Sequence, residues 1–177
     1  YAGIDTARGM AVLKLPYAPP PSLLLLGAGP DARPVAELAH FLGWRVQVFD
    51  HRAALSSGAR FPPGTALHCH PVDELLQHVK LAESGAVVIM SHHLDSDRGY
   101  LRAVAEAGPG YVGLLGPAPR REKLLAGLTV AESAALRPRL RAPVGLDLGG
   151  RSPEAIALSI VADIHAWLHG RQRHHWE

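Results

Sequence analysis

The sequence predicts an α/β domain built on a doubly wound parallel sheet in three layers, and three observations carry that prediction. The apolar run Leu23-Leu24-Leu25-Leu26 delivers the chain into Gly27-Ala28-Gly29-Pro30-Asp31-Ala32. A second apolar run, Val46-Gln47-Val48-Phe49, ends in an acid, Asp50, 23 residues after Gly27. Strand-like and helix-like segments then alternate to the end of the chain, as a parallel sheet with helices on both faces requires. Strand, tight glycine turn, amphipathic helix and acid-terminated strand is the order of a Rossmann-like dinucleotide-binding half.

The elements follow in order. Residues 10–15 suit a short strand, and the prolines between Pro16 and Pro21 form a stiff connector. Residues 1–20 therefore read as an N-terminal extension and linker, and 21–177 as the Rossmann-like domain. The start at Tyr1 rather than methionine reads as a processed, trimmed or fragmentary N-terminus. Continuous apolarity over 22–26 marks a strand buried on both faces. Val35, Leu38, Ala39 and Leu42 repeat at helical spacing, and Gly43 ends that helix. After Asp50, the serines, glycines and prolines of 51–64 make a loop. A third strand is expected over 65–68, a helix over 72–81 and a fourth strand over 86–90. Ser91-His92-His93 emerges at the carboxyl end of that fourth strand.

Helix 95–107 buries Leu101, Val104 and Ala105, and Gly108-Pro109-Gly110 returns the chain to a fifth strand over 111–115, which stops at Gly116. Helices are expected over 119–128 and 131–136, with a sixth strand over 144–146. Asp147-Leu148-Gly149-Gly150-Arg151 then leads to Ser152 as helix cap, Pro153 in the first turn and Glu154 against the dipole. The final helix runs to about residue 168 and buries Ile156, Ile160, Ile164 and Trp167.

Composition narrows the function. The 177 residues carry 18 lysines and arginines against 16 acids, a net charge of +2 with neutral histidine, so no strong field draws nucleic acid or an anionic membrane. The longest apolar runs are strand-sized and far below a bilayer span. The single cysteine, Cys69, cannot form an internal disulfide and points to a reducing, cytoplasmic setting, where it reads as a small core residue. Eleven histidines raise the question of metal. Strand alternation turns His68 and His70 away from Cys69, and His165 and His169 lack the acid of a zinc protease motif, so the sequence names no metal ligands.

In an open parallel sheet, ligands bind outside the carboxyl strand ends. The residues expected there are Gly27, Ala28, Gly29, Pro30 and Asp31 after the first strand, and Asp50, His51 and Arg52 after the second. Ser91 and His92, Gly116 and Arg151 follow later strands. Gly27 would make the tight turn, Gly29 would let backbone approach a pyrophosphate at the helix start, and small Ala32 would let helix pack on strand. Pro30 removes one backbone donor. Asp31 either sets a negative charge beside the phosphates or caps its own helix. Asp50 would hold ribose hydroxyls and favour NAD over NADP, a preference that Arg52 softens. His92 or His93 could exchange protons, or one could close the strand by bonding to backbone while the other faces solvent. Arg120 and Arg121 could meet a phosphate or a partner's acidic surface, or simply be solvated. Arg151 joins positive charge to a Gly-Gly turn at a helix entrance. A hydrolase serine elbow, a lysine-bearing phosphate loop and a paired-cysteine motif are all missing, so the residues name a scaffold and no catalytic group.

Four segments in order, LLLLGAGPDARPVAELAHFLGWRVQVFDHR (23–52), VVIMSHHLDSDRGYL (87–101), YVGLLGPAPRREKLL (111–125) and PVGLDLGGRSPEAIALSIVADI (143–164), resemble the Rossmann domain of the XdhC/CoxI family. These are accessory factors for xanthine dehydrogenase and related molybdenum hydroxylases. The resemblance implies a non-catalytic maturation factor that binds molybdenum cofactor, as molybdopterin or its dinucleotide. It implies support of the cofactor's sulfuration by a separate cysteine desulfurase or sulfurtransferase, and help with its insertion into the apo-enzyme of a xanthine dehydrogenase or CO dehydrogenase type hydroxylase. Full-length members carry an N-terminal domain with a glycine-rich, cysteine-containing motif, and nothing before Pro16 matches it. Two other readings stay open: an NAD(P)-dependent oxidoreductase, and a homodimer paired through an edge strand at 10–15.

Overall fold

The computed structural model describes residues 3–5, 12–14, 19–55 and 60–171. Ser56, Ser57 and Gly58 of the expected loop and His174-His175 lie outside the described residues. Two short strands, β1 (Gly3–Asp5) and β2 (Val12–Lys14), pair antiparallel with each other. The strand expected over 10–15 is thus present at its centre and pairs within the chain.

The main sheet is wholly parallel. Its first strand, β3 (Ser22–Leu26), is buried along its length, with Leu23 to Leu26 all at 0% exposure, as its unbroken apolarity requires. It is flanked by β4 (Arg45–Phe49) and, on the other side, β6 (Ala86–Ile89). Strand β5 (Ala66–His68) adds beyond β4, while β7 (Tyr111–Leu114) and β8 (Leu140–Arg141) add beyond β6. The order β5-β4-β3-β6-β7-β8 is the doubly wound order, with its direction reversing between β3 and β6.

Helices cover both faces. On one, α1 (Ala32–Phe41) and α6 (Pro153–Leu168) pack over Leu23, Leu25, Val46, Val48 and Val88, with Val35, Ala39, Ile160 and Ile164 inward. On the other, α3 (Leu94–Ala107) packs Tyr100, Leu101 and Val104 over Leu24, Leu26, Val87 and Ile89. It is flanked by α2 (Leu75–His78), α4 (Ala118–Leu125) and α5 (Val130–Leu136), whose capping box at Thr129 and Glu132 satisfies its first amides. No helix among the described residues is long and apolar enough to cross a membrane.

Four expectations change. The helix expected over 72–81 is broken into a 3-10 turn at Val72–Glu74, α2, an extended Val79 and a second 3-10 turn at Leu81–Glu83. Leu75, Val79 and Leu81 are all buried, and no single helix can place positions 79 and 81 on one side, so the chain extends between them. The sixth strand falls at Leu140–Arg141 instead of 144–146, because Pro143 offers no ladder amide and Gly145 takes φ +100°; the Val144 amide still donates to Leu114 O at 3.0 Å. Cys69 is exposed, since edge strand β5 ends one residue before it. Leu42 is exposed as well, because α1 stops at Phe41 and Trp44 supplies the buried side chain.

Candidate functional site

The glycine turn is set by packing against the neighbouring strand. Gly27 N–H donates to Phe49 O at 2.8 Å, and Gly27 holds φ +124°. A Cβ there would lie 2.5 Å from Ser91 Cα and N and 2.6 Å from the Met90 carbonyl carbon. Gly27 is therefore required by the close approach of the turn to the exit of β6. Gly29 differs: its Cβ would meet His92 Cδ2 at 3.6 Å and Met90 O at 3.9 Å, ordinary contacts, and its φ is not left-handed. The fold tolerates a methyl group there, so packing does not require glycine at this buried position. Ala28 and Ala32 are fully buried, which lets α1 begin directly beneath the turn. Pro30 caps the turn at the exposed surface.

Asp50 is where the sequence places it, but it faces inward. Its side chain is 0% exposed and accepts from Ala28 N–H at 2.7 Å, Arg52 N–H at 2.9 Å, and Arg52 Nε and Nη2 at 2.9 and 2.7 Å. Burial raises the Asp50 carboxyl, but the Arg52 guanidinium and the two backbone amides outweigh it and hold the carboxyl below its ordinary range. The same pairing raises Arg52. A ribose hydroxyl can reach Asp50 only by displacing Arg52. Arg52, one-third exposed, also donates to Ser91 O at 3.3 Å and so ties the second strand's exit to that of β6. His51 lies with Nδ1 3.7 Å from Asp50 Oδ1, its ring against that of His93.

The two histidines after β6 divide their tasks. His93 caps α3, its Nδ1 accepting from Ser96 N–H. His92 takes φ +61°, the only left-handed non-glycine among the described residues, a conformation that costs energy and tends to mark sites where geometry serves function. That backbone turns its half-exposed ring to Asp31, and Nε2 donates to Asp31 Oδ2 at 2.9 Å. Asp31 makes no side-chain cap of α1, which resolves the two readings of that residue. Its charge at the helix start is met by His92.

Below this rim lies a buried polar group. Ser91 Oγ donates to Asp97 Oδ1, Ser91 N–H reaches the same oxygen at 3.3 Å, and Arg120 Nη2 donates to Asp97 Oδ2 at 2.6 Å. Asp97 is fully buried, and Arg120 is therefore no solvated cation. Arg121 donates to Ala142 O at 2.8 Å. Gly116, at φ +136°, leaves the room that Arg120 Cδ takes, since a Cβ would come within 2.8 Å of it. Burial first, and then the nearby Asp50 and Asp97 charges, push the Tyr100 phenol far above its ordinary range; its hydroxyl is buried with no hydrogen-bond partner among the described residues. Reasoning from the sequence missed Asp97 and Tyr100. The signal was there, because Asp97 lies four and seven residues before Leu101 and Val104, on the inward stripe of the helix.

The structure thus joins Gly27, Ala28, Asp31, Asp50, Arg52, Ser91 and His92 by direct contacts, and brings Gly116 in through Arg120. Arg151 stands exposed behind the left-handed Gly149 and Gly150, with no hydrogen bond or ion pair to the others among the described residues. The joined residues surround the carboxyl ends of β3 and β6, where the strand order reverses.

A family model for the XdhC Rossmann domain matches residues 23–164. A probable xanthine dehydrogenase subunit of Bacillus subtilis (strain 168) is 33% identical over 172 residues, covering 90% of this chain and 50% of that protein. The uncharacterized protein YqeB of Escherichia coli (strain K12) is 30% identical over 166 residues, covering 92% of this chain and 30% of that one. The crystal structure of a xanthine dehydrogenase from Bacillus halodurans matches with a TM-score of 0.75 and 31% identity, over 89% of this chain and 45% of that one. The chain spans half or less of the length of each.

Proposed function

The chain belongs to the XdhC Rossmann-domain family, and on that footing we propose that it is an accessory factor that binds molybdenum cofactor in the crevice between β3 and β6. In this role it assists the cofactor's sulfuration by a separate cysteine desulfurase and its insertion into a xanthine dehydrogenase or CO dehydrogenase type apo-enzyme, in the cytoplasm. The observation that carries the reading is the pairing of a Gly29 that packing does not require with a sealed Asp50. A Cβ at Gly29 would make only ordinary contacts, so the glycine is not explained by packing and its bare backbone at the helix start suits the approach of a phosphate or pyrophosphate. The Asp31 and Asp50 carboxylates are both hydrogen-bonded, Asp31 by the His92 ring and Asp50 by the Arg52 guanidinium, so an anionic group meets no bare carboxylate there.

Molybdopterin and its dinucleotide carry such an anionic end, and the residues present fit it. Gly29 offers backbone, Arg52 offers charge on the rim, and His92, when protonated, adds a second cation. When bound, the cofactor brings the metal centre that the hydroxylase uses. This chain's residues bind and orient its phosphate end, and Asp50 and Asp97 fix the cations around it. The names of two relatives, one a probable part of a xanthine dehydrogenase and the other a xanthine dehydrogenase, support the choice of partner.

The glycine turn and strand order favour a second reading, an NAD(P)-dependent oxidoreductase. Against it, Asp50 has both oxygens engaged and is shielded from a ribose by Arg52. Calorimetric titration separates the two. Molybdopterin or its dinucleotide should bind the wild type and bind His92→Gly more weakly, with NADH and NADPH giving no heat at millimolar concentration. Binding of NADH with no binding of either molybdenum cofactor form would reverse the choice.

A further inference from the structure

We propose that His70, Glu74 and His78 form a binding site for a divalent transition metal ion of the zinc class, at the outer edge of the sheet. One ligand atom from each of His70, Glu74 and His78 lies within 4.8 Å of the other two. Both imidazole nitrogens face the same carboxylate oxygen, at 3.8 Å from His70 and 3.4 Å from His78. The His78 contact is a long hydrogen bond, and the His70 contact is beyond hydrogen-bond reach. They lie at and slightly above the separation of about 3.4 Å expected between ligands held 2.0–2.1 Å from a tetrahedral ion.

The fold explains why the three meet. Leu75 and Val79 are buried and fix α2, so Glu74 and His78 fall one turn apart on its outer side. Strand β5 ends at His68, and the chain leaves through Pro71, which sets His70 over the same turn. Strand alternation therefore no longer governs His70, and its partner is His78 rather than His68 or Cys69. The His70 and His78 rings stack 3.5 Å apart at 8°, and each is only about one-third exposed at the side chain. Convergence of both nitrogens on one ion requires the stacked rings to splay about their Cβ–Cγ bonds.

Two imidazoles and one carboxylate select zinc-class ions over calcium or magnesium, which prefer all-oxygen sets. Three protein ligands leave a fourth position for water or a group from another molecule. The site also neighbours the crevice: Asp50 N–H donates to His68 O at 3.0 Å, and the His70 ring lies 6.4 Å from that of Phe49, the residue before Asp50.

The test is a Zn²⁺ titration of the chelator-stripped full chain against a chromophoric competitor, with Co²⁺ absorption as a signature of coordination. One Zn²⁺ per chain should bind. His70→Ala and His78→Ala should each weaken it at least about tenfold, the least that loss of even an outer-shell support costs a metal site, and Glu74→Gln should weaken it less. A variant lacking His165, His169, His174 and His175 should bind as the wild type does. All three ligands are on the surface, so these variants should keep the wild-type melting temperature without metal. If any fails to fold, the wild-type Co²⁺ spectrum must still show a four-coordinate site with two imidazoles. No binding by the wild type, unchanged affinity in both His70→Ala and His78→Ala, or loss in the four-histidine variant overturns the proposal.

Discussion

Replacing Gly27 by alanine puts a methyl group 2.5 Å from Ser91 Cα and N and 2.6 Å from the Met90 carbonyl carbon, at φ +124°. The clashing atoms are backbone at the exit of a central strand and cannot swing away. Left-handed strain for a non-glycine residue costs about 1–3 kcal/mol, and overpacking a core about another 1–3 kcal/mol. The sum, about 4 kcal/mol, lowers the melting temperature of a domain this size by about 8–16 °C. Gly29→Ala is the internal control, because its methyl meets nothing closer than 3.6 Å. Its stability should stay within about 1 kcal/mol of wild type and can rise slightly through a less flexible unfolded chain. Urea unfolding of both variants, followed by circular dichroism, measures the difference. A Gly27→Ala variant within about 1 kcal/mol of wild type, or a Gly29→Ala variant as damaged as Gly27→Ala, refutes the assignment of one glycine to packing and the other to a ligand.

Other perturbations test the polar framework. Arg120→Met leaves the fully buried Asp97 charge without its cation and should cost about 3–5 kcal/mol; adding Asp97→Asn should recover part of it in a double-mutant cycle of urea unfolding. Arg52→Met should cost less, about 1–3 kcal/mol, because Asp50 keeps the Ala28 and Arg52 backbone amides. Asp50 is held below its ordinary value of 3.8, so the unfolded chain binds its proton first; the stability it adds is complete above about pH 4 and is lost as pH falls through the folded value. His68 is likewise depressed from 6.5, so acid should begin to destabilise the fold just below that pH, and His68→Gln should flatten this upper part of the pH–stability curve.

The sequence carried the fold where one local signal decides the outcome. Four leucines in a row, Ser152 and Pro153 at a helix start, and the glycine turn each allow one structure, and strands β3, β4, β6 and β7 and helices α1, α3 and α6 lie where those signals point. It failed where tertiary packing overrides period. Burial of Val79 and Leu81 together broke the helix after His78, and Pro143 moved the last strand to Leu140–Arg141. The site divides in the same way. Gly27, Asp50 and Ser91 follow strands and were visible from their positions in the chain. The inward turn of Asp50 beneath Arg52, the left-handed His92 facing Asp31, and the Asp97–Arg120 pair depend on contacts across 2 to 61 residues, which no spacing rule reports. Glu74 and His78 were hidden because they lie on a short, broken helix with too few turns to show a pattern.

We propose that the crevice at the β3–β6 switch point holds molybdenum cofactor, and protein isolated from cells that are producing a molybdenum hydroxylase would carry it. Oxidising the isolated protein and releasing any bound pterin allows its detection by fluorescence. Wild-type protein should yield pterin near one per chain, with the yield sharply reduced in the stably folded Gly29→Ala and His92→Gly variants. Pterin absent from the wild type, or equally abundant in variants of Gly29 and His92, would contradict the assignment.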